Sequence, residues 1–220
     1  MGKRSFEMFN ERSPFSRLRR KFYSRLYQFH ATVNRDIPIS PGFGAVRIIS
    51  LEQLQSYRRL VEENISAEKY LSLENRYLED ERKSEFFFFH NPDDEIFGYV
   101  EIVLNDFYDS ALQTVLQVPP NCAFGVDLYV FPRNRGKRSG VEGLNMMLLE
   151  MKQLGRQYAL GLIYEDNPAS LKNADTFHAV VHGCLYQFRL PGGRLAYRQK
   201  IWDKEFLITE TAGASSDRVS

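Results

Sequence analysis

Apolar residues along the chain recur at two periods, and the switches between the periods mark the elements. Phe15, Leu18, Phe22, Leu26 and Phe29 stand three or four residues apart, the spacing of one helix face. This pattern predicts an amphipathic helix over residues 14–30, started by Ser13-Pro14 and ended before the Pro- and Gly-bearing stretch 37–44. A strand is expected over 45–50. Ser50 is placed to cap a following helix with the stripe Leu51, Leu54, Arg58, Val61 and Ile65. Glu85–His90 carries four consecutive phenylalanines and predicts a buried core strand. Asn91–Asp94 predicts a turn, with Glu95–Leu104 pairing back as a hairpin. Further strands are expected at 124–131, closed by Pro132, and at 158–164. Helices are expected at 140–154, with Leu144, Met147, Leu148, Met151 and Leu154 on one face, and at 168–182. A last hairpin spans 185–202 around Pro191-Gly-Gly193, and a small, polar, disordered tail begins near Glu210. The order predicts an α/β fold, a mixed sheet with helices on both faces.

Charge changes this picture at one end only. The 220 residues carry a formal net charge of +1, so no global field points to a polyanion. Residues 1–43, however, hold nine basic residues and only three acids, and the remainder is net acidic. The segment therefore reads as a separate basic extension, ahead of one domain over 44–208 and a tail over 209–220. Its helix has two candidate roles. It could lie on an anionic membrane surface, or pack its apolar stripe on this chain's own sheet or across a dimer. Nucleic acid is not expected, because no recognition motif accompanies the charge. The two cysteines, Cys122 and Cys184, imply no disulfide framework and no structural zinc, and no metal is expected. No apolar run is long enough to span a bilayer, and no signal segment is expected at the N-terminus. The expected location is cytoplasmic, with membrane-peripheral attachment through the extension as the variant.

The stretch Asp127-Leu-Tyr-Val-Phe-Pro-Arg-Asn-Arg-Gly-Lys-Arg-Ser-Gly140 carries the chemistry. A strand ends in proline, a short basic loop with glycine follows, and an apolar helix begins. Main-chain N–H groups at a helix N-terminus attract anions, and glycine lets that backbone come close to a phosphate. Arg135, Lys137 and Arg138 add positive charge. Neither the dinucleotide fingerprint nor the P-loop pattern is present.

This run resembles the pyrophosphate motif of the GNAT acyltransferases, Arg/Gln-x-x-Gly-x-Gly/Ala after a strand of the form Asp-Leu-x-Val-x-Pro. Arg135 matches its first position, Gly140 its last, and Gly136 a glycine often found after the arginine, while Arg138 replaces the middle glycine. A second stretch, Glu165-Asp-Asn-Pro-Ala-Ser-Leu171, then a helix ending in His182-Gly183-Cys184, is similar to the family's Asn-x-x-Ser-Leu, helix, Gly-Phe segment. Asn167, Ser170 and Gly183 match, and Cys184 replaces the usual aromatic. The resemblance covers roughly 44–208.

The resemblance implies a mostly antiparallel central sheet flanked by helices, with the strands 124–131 and 158–164 splayed apart. Acetyl-CoA or another acyl-CoA would be the co-substrate. The loop Arg135, Gly136, Lys137, Arg138, Ser139 and Gly140 would hold its pyrophosphate, with Asn167 and Ser170 as further binding residues. The pantetheine arm would pair with the main chain of Leu128, Tyr129 and Val130. An amine acceptor, not identified by any motif, would attack the thioester directly. A base would take its proton, a main-chain N–H would hold the oxyanion and an acid would protonate the thiolate. Asp127, Glu101 and Glu165 are the candidate bases. The family's usual acidic tyrosine position is Ala179, which leaves His178 or Tyr186 as candidate acids. Two alternatives stand beside acetyl transfer. One is a longer acyl-CoA, an acyl-carrier protein or an aminoacyl-tRNA as donor. The other is a binding module without turnover.

Overall fold

The computed structural model describes residues 23–79, 84–136, 138–190 and 195–201. In chain order the strands are β1 (Tyr23–Thr32), β2 (Gly44–Ile48), β3 (Ser84–His90), β4 (Ile96–Val103), β5 (Phe107–Asp109), β6 (Thr114–Leu116), β7 (Cys122–Val130), β8 (Tyr158–Tyr164), β9 (Val180–Arg189) and β10 (Leu195–Ile201). The helices are α1 (Leu51–Ser56), α2 (Arg58–Asn64), α3 (Ala67–Leu78), α4 (Ser139–Gln153) and α5 (Pro168–Thr176), with a 3-10 turn at Pro132–Asn134. The fold is mixed α/β, and its registered strand pairs are antiparallel.

The chain forms two compact units. One comprises Thr32–Asp106 and Val118–Ala159. The other comprises the described residues up to Ala31, Phe107–Gln117 and the described residues from Leu160 on. In the first unit the strand order is β7-β4-β3-β2. The four phenylalanines of β3 are all buried, because helices cover both faces of this sheet. Phe86 and Phe88 join Ile48, Leu54, Val61, Tyr70 and Leu73 in the core under α1–α3. Alternation sends Phe89 to the opposite face, where it lies against Gly143 of α4. Ser50 caps α1 through the Gln53 N–H at 3.1 Å, and Ser66 caps α3 through the Lys69 N–H at 3.1 Å.

The second unit holds the order β10-β9-β1-β8, with the small hairpin β5–β6 and α5. Tyr27, Ile163, Leu171, Ala174 and Cys184 form its core under α5.

Two expectations fail here. Residues 23–30 were expected in an amphipathic helix but lie in strand β1, paired from Tyr23↔Phe188 to His30↔Val180. Leu26, Tyr27 and Gln28 are buried in succession, as in a strand covered on both faces. The three-residue spacing of Leu26 and Phe29 is coincidental. Residues 23–32 are therefore part of the sheet and not of a separate helical extension. The rest of that helix and the tail 209–220 lie outside the described residues. The expected helix 168–182 stops at Thr176, and His182, Gly183 and Cys184 stand inside β9. Packing decides this. A Cβ on Gly183 would stand 2.6 Å from the Gln28 amide oxygen of β1 and 2.9 Å from the Lys200 carbonyl of β10, so glycine lets β9 lie close between its two neighbours.

Candidate active site

Strand β7 does not run straight. Tyr99 of β4 faces Tyr129, but Glu101 faces Val126, so Val100 alone stands against Asp127 and Leu128. Asp127 is the extra residue, and its φ is +54°, in the left-handed region. A β-bulge of this kind breaks the ladder and re-aims the chain beyond it. Aspartate tolerates that backbone better than most residues. Next to the bulge β4 and β7 approach so closely that a Cβ on Gly98 would strike the Tyr129 carbonyl. From Gly125 to Val130 the strand is only half-buried, whereas its start at Cys122–Phe124 is buried.

Four charges meet at the bulge. Lys69 and Arg76 stand seven residues apart on α3, two turns along one face, with buried Leu73 between them. Lys69 Nζ donates to Asp127 Oδ2 at 2.6 Å, and Arg76 Nη2 donates to the same oxygen at 2.6 Å. Arg76 Nη1 lies 3.0 Å from Glu101 Oε2, and the Ser84 hydroxyl donates to Glu101 Oε1 at 2.8 Å. Burial pushes the Asp127 carboxyl up, but Arg76 and Lys69 outweigh it and hold it below the ordinary carboxylate range. Asp127 is therefore an ionised, weakly basic group. Burial also drives the phenol of Tyr99 well above its usual value, and its ring stacks on that of Tyr129 at 5.9 Å.

The loop beyond β7 leads into α4 without a side-chain cap. The Phe131 N–H bonds to the Phe97 carbonyl at 2.8 Å, and the 3-10 turn follows. Arg135 donates from Nε to the Val130 carbonyl at 3.0 Å, and its guanidinium lies 5.1 Å over the Tyr129 ring. Gly136 has φ +80° with open space where a side chain would stand. Arg138 is left-handed at φ +60° and occupies the N-cap position, where no side chain caps the helix. Its guanidinium stands 3.8 Å from buried Glu142, which already accepts from the Ser40 hydroxyl at 2.6 Å. Gly140 and buried Ser139 begin the helix. Lys137 lies outside the described residues.

The structure thus gathers Asp127, Leu128, Tyr129, Val130, Arg135, Gly136, Arg138, Ser139 and Gly140 on one strand–loop–helix of the first unit. Glu101, another candidate base, lies beside them on β4, and the other described candidates belong to the second unit. Asn167 caps α5, its Oδ1 accepting from the Ser170 N–H at 3.1 Å. His178 is exposed, just past α5, with φ +53°. Tyr186 is half-buried on β9, its ring 6.0 Å from that of Tyr23. Glu165 is taken by Arg25. Lys69 and Arg76 were not anticipated from the sequence. The signal that could have found them is the apolar Tyr70–Leu73 face between two cations at helical spacing. Among the described residues no group of three or more His, Cys, Asp or Glu is arranged to hold a metal ion. No helix among them is long and apolar enough to cross a membrane.

A bulged strand running through a glycine-bearing loop into an uncapped helix, beside an antiparallel sheet, is the arrangement that the resemblance to the GNAT acyltransferases leads one to expect. The sequence pattern of the acetyltransferase (GNAT) family matches residues 50–175, more than half of the chain, and the chain belongs to that family. Among solved structures, a conserved protein of unknown function from Staphylococcus epidermidis superposes with a TM-score of 0.54 at 7% identity, over 82% of this chain and 67% of that one. A GCN5-related N-acetyltransferase from Sphaerobacter thermophilus gives 0.51 at 12% identity, over 84% of this chain and 55% of that one. At such identities the likeness is one of fold. This chain thus spans about two thirds of the first structure and little more than half of the second. Against curated proteins no sequence match reaches significance.

Proposed function

We propose that the protein moves an acyl group, acetyl in the simplest case, from coenzyme A to an amine in one direct step. The observation that carries this is the left-handed bulge at Asp127, with the half-buried main chain of Leu128–Val130 after it and the basic loop feeding the uncapped start of α4. The loop Arg135–Gly140 holds the pyrophosphate through helix N–H groups and cations. The pantetheine arm lies along Leu128, Tyr129 and Val130. A main-chain N–H freed by the bulge takes the oxyanion. Asp127, held ionised by two cations and so a poor proton acceptor, orients the acceptor, which attacks as the free amine and gives its proton to water as the C–S bond breaks. Tyr186 and His178 remain the candidate acids, and Asn167 and Ser170 candidate binding residues, on the family resemblance alone.

Thermal-shift titration with free CoA, acetyl-CoA and longer acyl-CoAs tests the reading directly, because a ligand bound only by the folded state raises the melting temperature. Acetyl-CoA stabilisation above that of longer donors supports acetyl transfer. A larger shift with a longer chain moves the donor assignment, and no shift with any of them removes it. A non-catalytic binding module is favoured by one observation, the double clamp on Asp127. It predicts CoA binding with no thiol release across a panel of amines.

A further inference from the structure

Helix α3 reaches the bulge through two side chains that are not equivalent. A left-handed residue within a strand is strained when it carries a Cβ, so the surroundings must hold it. Asp127 is held through one oxygen by both Lys69 and Arg76. Among the described residues the Lys69 ammonium makes that contact alone, as a point charge at 26% side-chain exposure. Arg76 is 15% exposed and uses its two terminal nitrogens on different strands: Nη2 on Asp127 of β7, Nη1 on the fully buried Glu101 of β4. Glu101 stands opposite Val126, the residue before the bulge. The guanidinium therefore spans the bulge, with one carboxylate fixed on each strand. Ser84 of β3 holds the far oxygen of Glu101, so one ion pair and two hydrogen bonds link α3 with three strands. A planar fork can bridge two carboxylates in this way, and an ammonium on a flexible stem cannot reproduce it.

We propose that Arg76 is the positioning residue of the donor strand: by bridging Glu101 and Asp127 it fixes the bulge, and with it the Leu128–Val130 main chain that receives the thioester. This rests on the acyl-CoA reading only in naming the ligand of that main chain. Arg76 itself touches neither donor nor acceptor. Its loss should leave the pyrophosphate loop, and hence CoA affinity, nearly intact while misplacing the reacting carbonyl.

The test compares wild type with Arg76→Met, Arg76→Lys and Lys69→Met in the full chain. Amide hydrogen exchange is followed over the peptides covering 125–131, CoA affinity is measured by calorimetry, and thiol release from acetyl-CoA is measured with a panel of polyamines and amino sugars. In Arg76→Met, exchange around the bulge is expected to rise about tenfold, a local opening. Its kcat should fall about thirtyfold while donor KM and CoA affinity stay within about threefold. Arg76→Lys should recover part of both, and Lys69→Met should show the smaller loss. Unchanged exchange over 125–131 in both Arg76 variants overturns the proposal, whether or not a donor binds. Equal losses in Lys69→Met and Arg76→Met overturn the bridging role. Should Arg76→Met fail to fold, Arg76→Lys decides: wild-type exchange and kcat there count against the fork. If wild type binds neither CoA nor acetyl-CoA, the acyl-transfer reading falls, and the exchange result still decides the role of Arg76.

Discussion

Each unit holds an arginine against carboxylate, and the two pairs differ in what they join. Arg76 brings α3 to β4 and β7 over sequence distances of 25 and 51 residues, with Glu101 fully buried. Arg25 meets Glu165 on adjacent chain segments where the Glu165 N–H already bonds to the Arg25 carbonyl at 2.8 Å. The first pair supplies geometry that no main-chain bond provides; the second repeats a connection that the backbone has made. Burial sharpens the difference. Taking one partner from a buried cluster leaves a charge without water or counter-charge, whereas a pair 21% and 24% exposed falls back on solvent. A charge network kept at such desolvation cost marks the place where backbone shape matters most.

The largest expected effect follows from that contrast. Arg76→Met should lower unfolding free energy by about 3 kcal/mol, read from the denaturant midpoint, because the fully buried Glu101 loses the Arg76 guanidinium while Asp127 is left with Lys69. Arg25→Met should cost about 1 kcal/mol or less. Equal losses would break the comparison. Next, Gly140→Leu should weaken CoA binding about a hundredfold by calorimetry with the melting temperature nearly unchanged, since it blocks the approach of phosphate to the helix start. Undiminished affinity would remove the loop from the donor site. Asp127→Asn should slow turnover about tenfold at constant CoA affinity.

The same variant has a pH signature. Because the Asp127 carboxyl is depressed in the folded state, its contribution to stability is complete above its unfolded value of about 4 and disappears as pH falls through its folded value. The stability difference between wild type and Asp127→Asn should therefore be constant at neutral pH and shrink in acid below about pH 4. A difference that instead grew in acid would contradict the clamp. The smallest effect is in the second unit. Burial pushes the Cys184 thiol up to about 11, so it should resist iodoacetamide at pH 8 in the folded protein, as mass spectrometry can show.

How far each region could be read from sequence divides along the same line. The first unit is written locally. The phenylalanine run, the Asn91–Asp94 turn and the strand–loop–helix at 122–153 are each contiguous, and their periods survive folding. The second unit is assembled from both ends of the described chain. There β1 has β8 and β9 as neighbours, and a strand covered on both faces loses the two-residue alternation that would announce it. Strands of three residues, such as β5 and β6, are too short to carry any period. At the site, Asp127 and the loop were legible because they are consecutive. The clamp was not, because Lys69 and Arg76 lie 58 and 51 residues away and reach Asp127 only through tertiary packing. Whether Asp127 acts as a base or as an anchored anion is decided by those two distant cations, and no local spacing encodes them.

The connection between β1 and β2 has a consequence for re-engineering the chain. It looks like a plain surface loop, yet it runs the length of α4: Lys152 donates to the Arg35 carbonyl at 3.0 Å, Asn145 to the Pro38 carbonyl at 2.7 Å, and Ser40 to Glu142 at the helix start. The segment acts as a splint, and its far end reaches the first turn of α4, just after the 135–140 loop. An insertion here, or new termini opened here, would shift the register of that splint and disturb a loop about a hundred residues downstream. The Asn91–Asp94 turn is closed by its own Asn91 side chain, which accepts from the Asp93 and Glu95 N–H groups, and its Pro92 packs closely on the connection, at Gly42. A circular permutant or a fused reporter belongs at the exposed Asp93–Asp94 tip of that turn, past Pro92.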